Sequence, residues 1–322
     1  MRCQLRYTPF EGEYNPIVTK MQGILILVAF CLLTACNAGA PTITGVEQIF
    51  PAGTQSPTPF QAHSPTPRPL PTASPTMLPS PTPLACLQEG GTVEEKEIEF
   101  RPGNPPYAFR LYLPPCYEEQ EDPNYPVLVM IHGQTFADDQ WDRLGIDEAA
   151  DALIAEGKAR PFLIVMPRER DTFGDIYASP FARGLIEDLL PWIDANYPTC
   201  ADRSCRAIGG LSRGGAWALR LGMEHWEVFG AIGMHSTPPF IGDRETFLPR
   251  WLAAIPADEL PRIYMDTGRQ DWYLVATSRL EEYLVQAGVP HEWYLFNGTH
   301  DEAYWSAHVT DYLGWYTRPW QE

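Results

Sequence analysis

From about residue 94 onward the sequence predicts an α/β fold: a mostly parallel central sheet with helices on both faces. Three observations point there. The runs YPVLVMIHG, PFLIVMPRE, CRAIGGLS and GAIGMHS are almost continuously apolar, as strands buried on both faces must be. Segments of helical period separate them, which is how parallel strands are connected. Only the opening pair, EEKEIEF and YAFRLYLPP, reads as an antiparallel start. No internal repeat is evident.

The elements follow in order. After YPVLVMIHG, residues 147–157 suit a helix. After PFLIVMPRE, the stretch ARGLIEDLLPWIDANY is amphipathic, with Leu185, Leu189, Trp192 and Ile193 on one face. Pro191 is expected to kink it. CRAIGGLS leads into the helix GGAWALRLGMEH. Beyond GAIGMHS come a segment around 244–254, the strand PRIYMDTG, a helix near 273–287, the strand in HEWYLFNGTH and a last helix near 302–316.

Residues 1–36 read as a leader. The apolar run Ile24–Leu33 is too short to span a bilayer and suits the hydrophobic region of a signal peptide. Residues 1–20 do not look like the basic start of such a peptide, so Met21 stands as an alternative first residue. Leu33-Thr34-Ala35-Cys36 resembles a bacterial lipoprotein box, which implies acylation at Cys36. Residues 37–85 are dominated by Pro, Thr, Ser and Ala. That composition buries too little apolar surface to fold and is expected to form an extended stalk. Residues 86–322 then form one domain. The remaining cysteines, Cys86, Cys116, Cys200 and Cys205, are even in number and suit two disulfides in an oxidising compartment. Spacing suggests Cys200 with Cys205 and Cys86 with Cys116. The expected location is extracytoplasmic, either membrane-anchored through the lipid or secreted. A formal net charge of −18 argues against a nucleic-acid partner, since binding a phosphate backbone needs an extended basic face. No cysteine or histidine spacing suits a metal.

The chemistry centres on Gly210-Leu211-Ser212-Arg213-Gly214, which fits G-x-S-x-G between a buried strand and a helix. Small flanking residues let the chain turn sharply there and lift the hydroxyl clear of the sheet. A serine hydroxyl is a weak nucleophile and needs a base and an orienting acid further along the chain. His300, in the loop after the last strand, is the expected base. His235 ends the next strand, too early for a base, and His308 falls inside the final helix. Asp271, on the loop after PRIYMDTG, is preferred over Asp266 within that strand as the acid. Asp301 reads as a helix N-cap. The oxyanion donors are expected to be the backbone N–H groups of Arg213 and Gln134, with His132 bracing the Gln134 loop. The Arg213 side chain could meet an anionic substrate or pair with a nearby acid.

VLVMIHG, GGLSRGGA, DTGRQDW and NGTHDEAYW together resemble the esterase D family of α/β-hydrolases, over roughly residues 94–318. The family includes feruloyl and acetylxylan esterases. The resemblance implies an α/β-hydrolase fold, a Ser212–His300–Asp271 triad, no cofactor, and carboxylic esters, carbohydrate-linked acyl groups among them, as substrates. Trp141, Trp272 and Trp305 are expected to line the substrate site, where an acyl aromatic or a sugar could stack. Tyr304 is placed near the same rim, and Trp217 is expected in the core. Acyl transfer and peptide hydrolysis would use the same residues, and a non-catalytic binding protein could keep the same fold.

Overall fold

The computed structural model describes residues 85–102, 105–119 and 124–321. These belong to a compact unit running from Met77 to Glu322. The leader with Cys36, and the proline-rich stretch through residue 84, lie outside the described residues.

One eight-stranded sheet organises the unit. Its strands are β1 (Thr92–Ile98), β2 (Tyr107–Leu113), β3 (Val127–Ile131), β4 (Leu163–Pro167), β5 (Arg206–Leu211), β6 (Ala231–His235), β7 (Arg262–Gly268) and β8 (Glu292–Phe296). They lie in the order β1-β2-β4-β3-β5-β6-β7-β8. β1–β2 and β2–β4 are antiparallel, and all other pairings are parallel. β3, β4, β5 and β6 are buried at every position, as their unbroken apolar runs require. The edge strand β1 instead alternates burial and carries Glu94, Glu95, Lys96 and Glu97, charges that discourage pairing with another chain.

The helices are α1 (Cys86–Glu89), α2 (Gln140–Arg143), α3 (Ile146–Ala155), α4 (Pro180–Arg183), α5 (Leu190–Asn196), α6 (Arg213–Glu224), α7 (Leu248–Ala254), α8 (Leu274–Gln286) and α9 (Glu302–Thr317). Two apolar clusters cover the two faces of the sheet. Side chains of α5, α6, α7 and α8 fill one, with Phe109, Val129 and Ile208 beneath them. Side chains of α2, α3 and α9 fill the other, with Leu128, Met130 and Ile164.

The expected kink at Pro191 takes a specific form. Gly184–Leu189 is wound as a π-helix, and α5 starts immediately after it with Pro191 near its first turn. The same arrangement recurs at Asp243–Phe247, a π-helix that runs into α7 with Pro249 near its start. A proline has no N–H to donate and crowds the preceding turn. Widening that turn lets the chain pass through without a sharp bend.

The disulfides join Cys86 to Cys116 and Cys200 to Cys205, the pairing that spacing suggested. Among the described residues no helix is long and apolar enough to cross a membrane. The Cys86–Cys116 bridge closes a segment with a sequence separation of 30, against 5 for the other. Chain entropy therefore predicts a larger loss on removing the first, about 3–4 kcal/mol against about 2 kcal/mol. Urea unfolding of Cys116→Ser and Cys205→Ser variants checks that order.

Candidate active site

Ser212 follows β5 and precedes α6, at the carboxyl edge of the parallel strands. Its backbone is left-handed, with φ 52° and ψ −118°. Two neighbours make this turn possible. A Cβ on Gly214 would sit 2.1 Å from the Ile131 carbonyl oxygen, and one on Gly210 would sit 2.4 Å from the Gly214 backbone. Glycine at both positions lets α6 approach β3 and β5 this closely. The Ser212 N–H donates to the His235 carbonyl at 2.8 Å, so the turn is stitched to β6. Ser212 occupies the N-cap position of α6 but its side chain makes no capping bond. The hydroxyl is left for another partner.

That partner is His300. Its Nε2 lies 2.9 Å from Ser212 Oγ, and its Nδ1 lies 2.9 Å from Asp271 Oδ2. With Asp271 ionised, Nδ1 carries the proton and donates it to the carboxylate, while Nε2 accepts from the serine hydroxyl. Burial pushes the Asp271 carboxyl up, but bonds from His300 and from the Tyr273 N–H (2.7 Å) outweigh this and hold it below its usual range. The imidazole is enclosed by Trp272 and Trp305, each with its ring 5.0 Å away, and by Tyr273 at 4.9 Å. The two loops that carry acid and base are zipped together. Gln270 N–H donates to the Gly298 carbonyl, and the Gln270 side chain accepts from the Gly298 N–H, both at 3.0 Å.

The loop after β3 is braced on several sides. Gly133 N–H donates to Gln140 Oε1 at 2.8 Å, and the Gln134 side chain donates to the Thr172 carbonyl at 3.0 Å. His132 donates from Nδ1 to the Gly133 carbonyl (2.8 Å), and its Nε2 accepts from the Glu169 N–H (2.9 Å). A ring nitrogen that accepts a backbone N–H cannot also hold a proton, and burial pushes the His132 pKa down. It is therefore a neutral brace. The backbone N–H groups of Gln134 and Arg213 donate to no acceptor among the described residues. Arg213 opens α6, where the helix dipole adds positive potential.

Of the two roles open to the Arg213 side chain, the structure has the ion pair. Its guanidinium makes a two-pronged bond to Glu169, at 2.7 and 2.6 Å. Asp266 faces away from His300. It accepts from His235 Nδ1 at 2.7 Å and from the hydroxyls of Tyr304 and Tyr312 at 2.5 and 3.1 Å. His235 Nε2 meets the Tyr316 hydroxyl at 3.0 Å, completing a buried polar cluster beneath the turn. His308 packs on Phe296 and bonds Asp311. Asp301 caps α9 by accepting from the Tyr304 N–H.

Three expected rim aromatics are corrected. Trp141 is 1% exposed, with its indole N–H donated to the Ile131 carbonyl at 3.0 Å; it anchors the end of β3 from below. Trp305 is 3% exposed and belongs to the core face of α9, supporting His300 from behind. Tyr304 is likewise buried, its hydroxyl spent on Asp266. Both tryptophans sit on helix faces turned to the sheet, which loop position alone does not reveal. Trp272, by contrast, is 68% exposed beside His300, and Trp217 is fully buried. Sequence reasoning missed Glu169, Gln140, Gln270 and Thr172. Glu169, Gln270 and Thr172 bond across tens of residues and Gln140 reaches Gly133 across seven, and the one hint was a carboxylate, Glu169, just beyond a buried strand. Among the described residues, no cluster of His, Cys, Asp and Glu is placed to hold a metal ion.

A family model described as "Putative esterase" matches residues 103–316. The chain belongs to that esterase family. It is similar to an endo-1,4-beta-xylanase/feruloyl esterase of Xylanibacter ruminicola, 35% identical over 136 residues, which are 39% of this chain and 19% of the relative. It is also similar to the iron(III) salmochelin esterase of Escherichia coli O6:H1, 27% identical over 226 residues, 64% of this chain and 53% of that one. The chain spans only about a fifth to a quarter of the length of the first curated relatives it matches, 19% and 25%. Among solved structures, a ferulic acid esterase superposes with a TM-score of 0.63 at 24% identity, covering 72% of this chain and 99% of that one. The feruloyl esterase module from Clostridium thermocellum gives 0.62 at 17% identity, covering 74% and 93%. These likenesses establish the α/β-hydrolase fold.

The Arg213–Glu169 pair is largely buried, so breaking it from one side should be costly. Glu169→Gln leaves a guanidinium without its counter-charge and is expected to lower stability by about 3–5 kcal/mol. Urea unfolding of the variant measures this, and Glu169→Asp should lose less.

Proposed function

We propose that the protein is a serine esterase that cleaves carboxylic esters through an acyl-enzyme. The observation that carries this reading is the unbroken chain from Asp271 through His300 to Ser212, with both links at 2.9 Å. In the first half-reaction Ser212 Oγ attacks the ester carbonyl carbon while His300 Nε2 takes the hydroxyl proton. Asp271 holds the ring in orientation and stabilises its cationic form. The carbonyl oxygen becomes an oxyanion, facing the N–H groups of Arg213 and Gln134. Collapse breaks the ester C–O bond, and His300 returns its proton to the departing alcohol. Water then attacks the acyl-serine by the same route, releasing the acid and restoring Ser212.

For the substrate, we favour esters of aromatic acids, including those borne on carbohydrate. The support is exposed aromatic surface at the edge of the sheet where Ser212 sits. Trp272, Phe173 and Phe136 are 68, 76 and 38% exposed, and all lie on loops at the carboxyl ends of the strands, Trp272 with its ring 5.0 Å from that of His300. Large aromatic surface left in water there suits a flat acyl group or a sugar ring. Two relatives named as feruloyl esterases fit the same reading. The location we propose is outside the cytoplasm, supported by the two disulfides. The lipid anchor at Cys36 belongs to the same proposal.

Two measurements on the full chain test it. Ser212→Ala should lower turnover of p-nitrophenyl acetate by roughly four to six orders of magnitude while the protein stays folded. Equal rates for the two proteins would refute the nucleophile. Trp272→Ala should raise KM for methyl ferulate and leave p-nitrophenyl acetate nearly unchanged, because only the larger acyl group reaches the indole.

A further inference from the structure

A cavity lies at the opposite edge of the sheet. Its volume is about 210 Å³, and it opens beside the first residues of β5, β6 and β7, whereas Ser212 follows the last residue of β5. Three arginines line it: Arg203, Arg206 and Arg262. Arg203 pairs with Glu259, and Arg206, 7% exposed, pairs with Asp194. Arg262 makes no ion pair among the described residues. Its Nη2 donates to the Trp315 carbonyl at 2.9 Å, and its guanidinium lies 4.3 Å from the centre of the Trp315 ring. The nearby carboxylate of Glu292 is taken by Arg318, by the Trp315 indole and by the Tyr294 hydroxyl.

Two donors in this cavity are left over. Arg262 Nη1 and Arg206 Nε are both buried with no hydrogen-bond partner. Burial and the neighbouring Arg318 push the Arg262 pKa down, against the weaker pull of Glu292. Three guanidinium groups and two carboxylates leave one positive charge uncompensated. This occurs in a chain whose formal net charge is −18, so the excess is not a reflection of general basicity. Arg262 is half-buried, and a buried donor atom without an acceptor is costly. The remaining wall, Leu260, Pro319 and the Trp320 indole, is mostly apolar.

We propose that this cavity is a binding site for a compact organic oxyanion, with a carboxylate or phosphate on the free Arg262 edge and a sugar-sized body against Leu260 and Pro319. Guanidinium edges match carboxylate and phosphate oxygens in pairs, which a lysine would not do. The site lies at the far edge of the sheet from Ser212, so its ligand is not the ester being cut. The inference does not rest on the esterase reading.

The test is thermal unfolding of the full chain with glucuronate, inorganic phosphate or glucose, at constant ionic strength set by sodium chloride. The expected result is a saturable rise in the midpoint with an anion and none with glucose. The rise should vanish in Arg262→Gln, which keeps its p-nitrophenyl acetate turnover. A rise with glucuronate alone means that the sugar body is also read; equal rises with both anions mean that the oxyanion suffices. Leu260→Trp, which fills the cavity without removing a charge, should abolish the rise as well and serves if Arg262→Gln does not fold. No saturable rise in the unaltered protein, or an equal rise in both variants, overturns the proposal.

Discussion

The site depends on holding one residue in a conformation it does not prefer. Ser212 has φ 52°, which costs a non-glycine residue on the order of 1–3 kcal/mol. What overrides that cost is α6. Every residue from Gly214 to Met223 is buried, and Trp217, Leu219 and Leu221 are sealed in the core. Fully burying each such side chain contributes roughly 1.5–3 kcal/mol, so the helix alone outweighs the strain several times over. The bond from Ser212 N–H to His235 fixes the other side of the turn. Strand and helix are each anchored, and the residue between them has no freedom to relax.

The polar groups around the turn follow from the same constraint. A turn gripped this tightly is surrounded by buried charge, and each charge has a partner. Arg213 has Glu169, Asp266 has His235 and two tyrosines, and Arg220 has Asp243 inside a box of Tyr177, Phe247 and Trp251. Pairs of this kind add little net stability compared with apolar packing, but removing one member is expensive. Their effect here is geometric. Asp266 carries its backbone carbonyl to Ser236, and His235 carries its own to Ser212, so the ordered side chains also register the ends of β5, β6 and β7.

Much of this was legible in the sequence, for identifiable reasons. Buried parallel strands need unbroken apolar runs, so the central strands could be read directly from VLVMI and LIVMP. The geometry at Ser212 needs glycine nearby, so the turn was visible as GGLSRGGA. The choice of Asp271 over Asp266 rested on loop position, and the structure places Asp271 beside His300. Helix orientation was the weak point. Trp141 and Trp305 were expected at the rim, but a tryptophan on a short helix or on a first turn can face either way. Only the packing of α2 and α9 against the sheet decides it. Side-chain braces such as Gln140 and Gln270 left no trace, because a single glutamine has no period and no motif.

The Cys86–Cys116 bridge has a mechanical side. Tension arriving along the chain from residues N-terminal to Cys86 would enter at that sulfur and leave through Cys116, just beyond the end of β2. Load would thus bypass α1, β1 and β2. β1 is exposed to peeling, being at an edge of the sheet and bonded on one side only. Force that would otherwise unzip it pair by pair is delivered instead next to β2, which is held by neighbours on both sides.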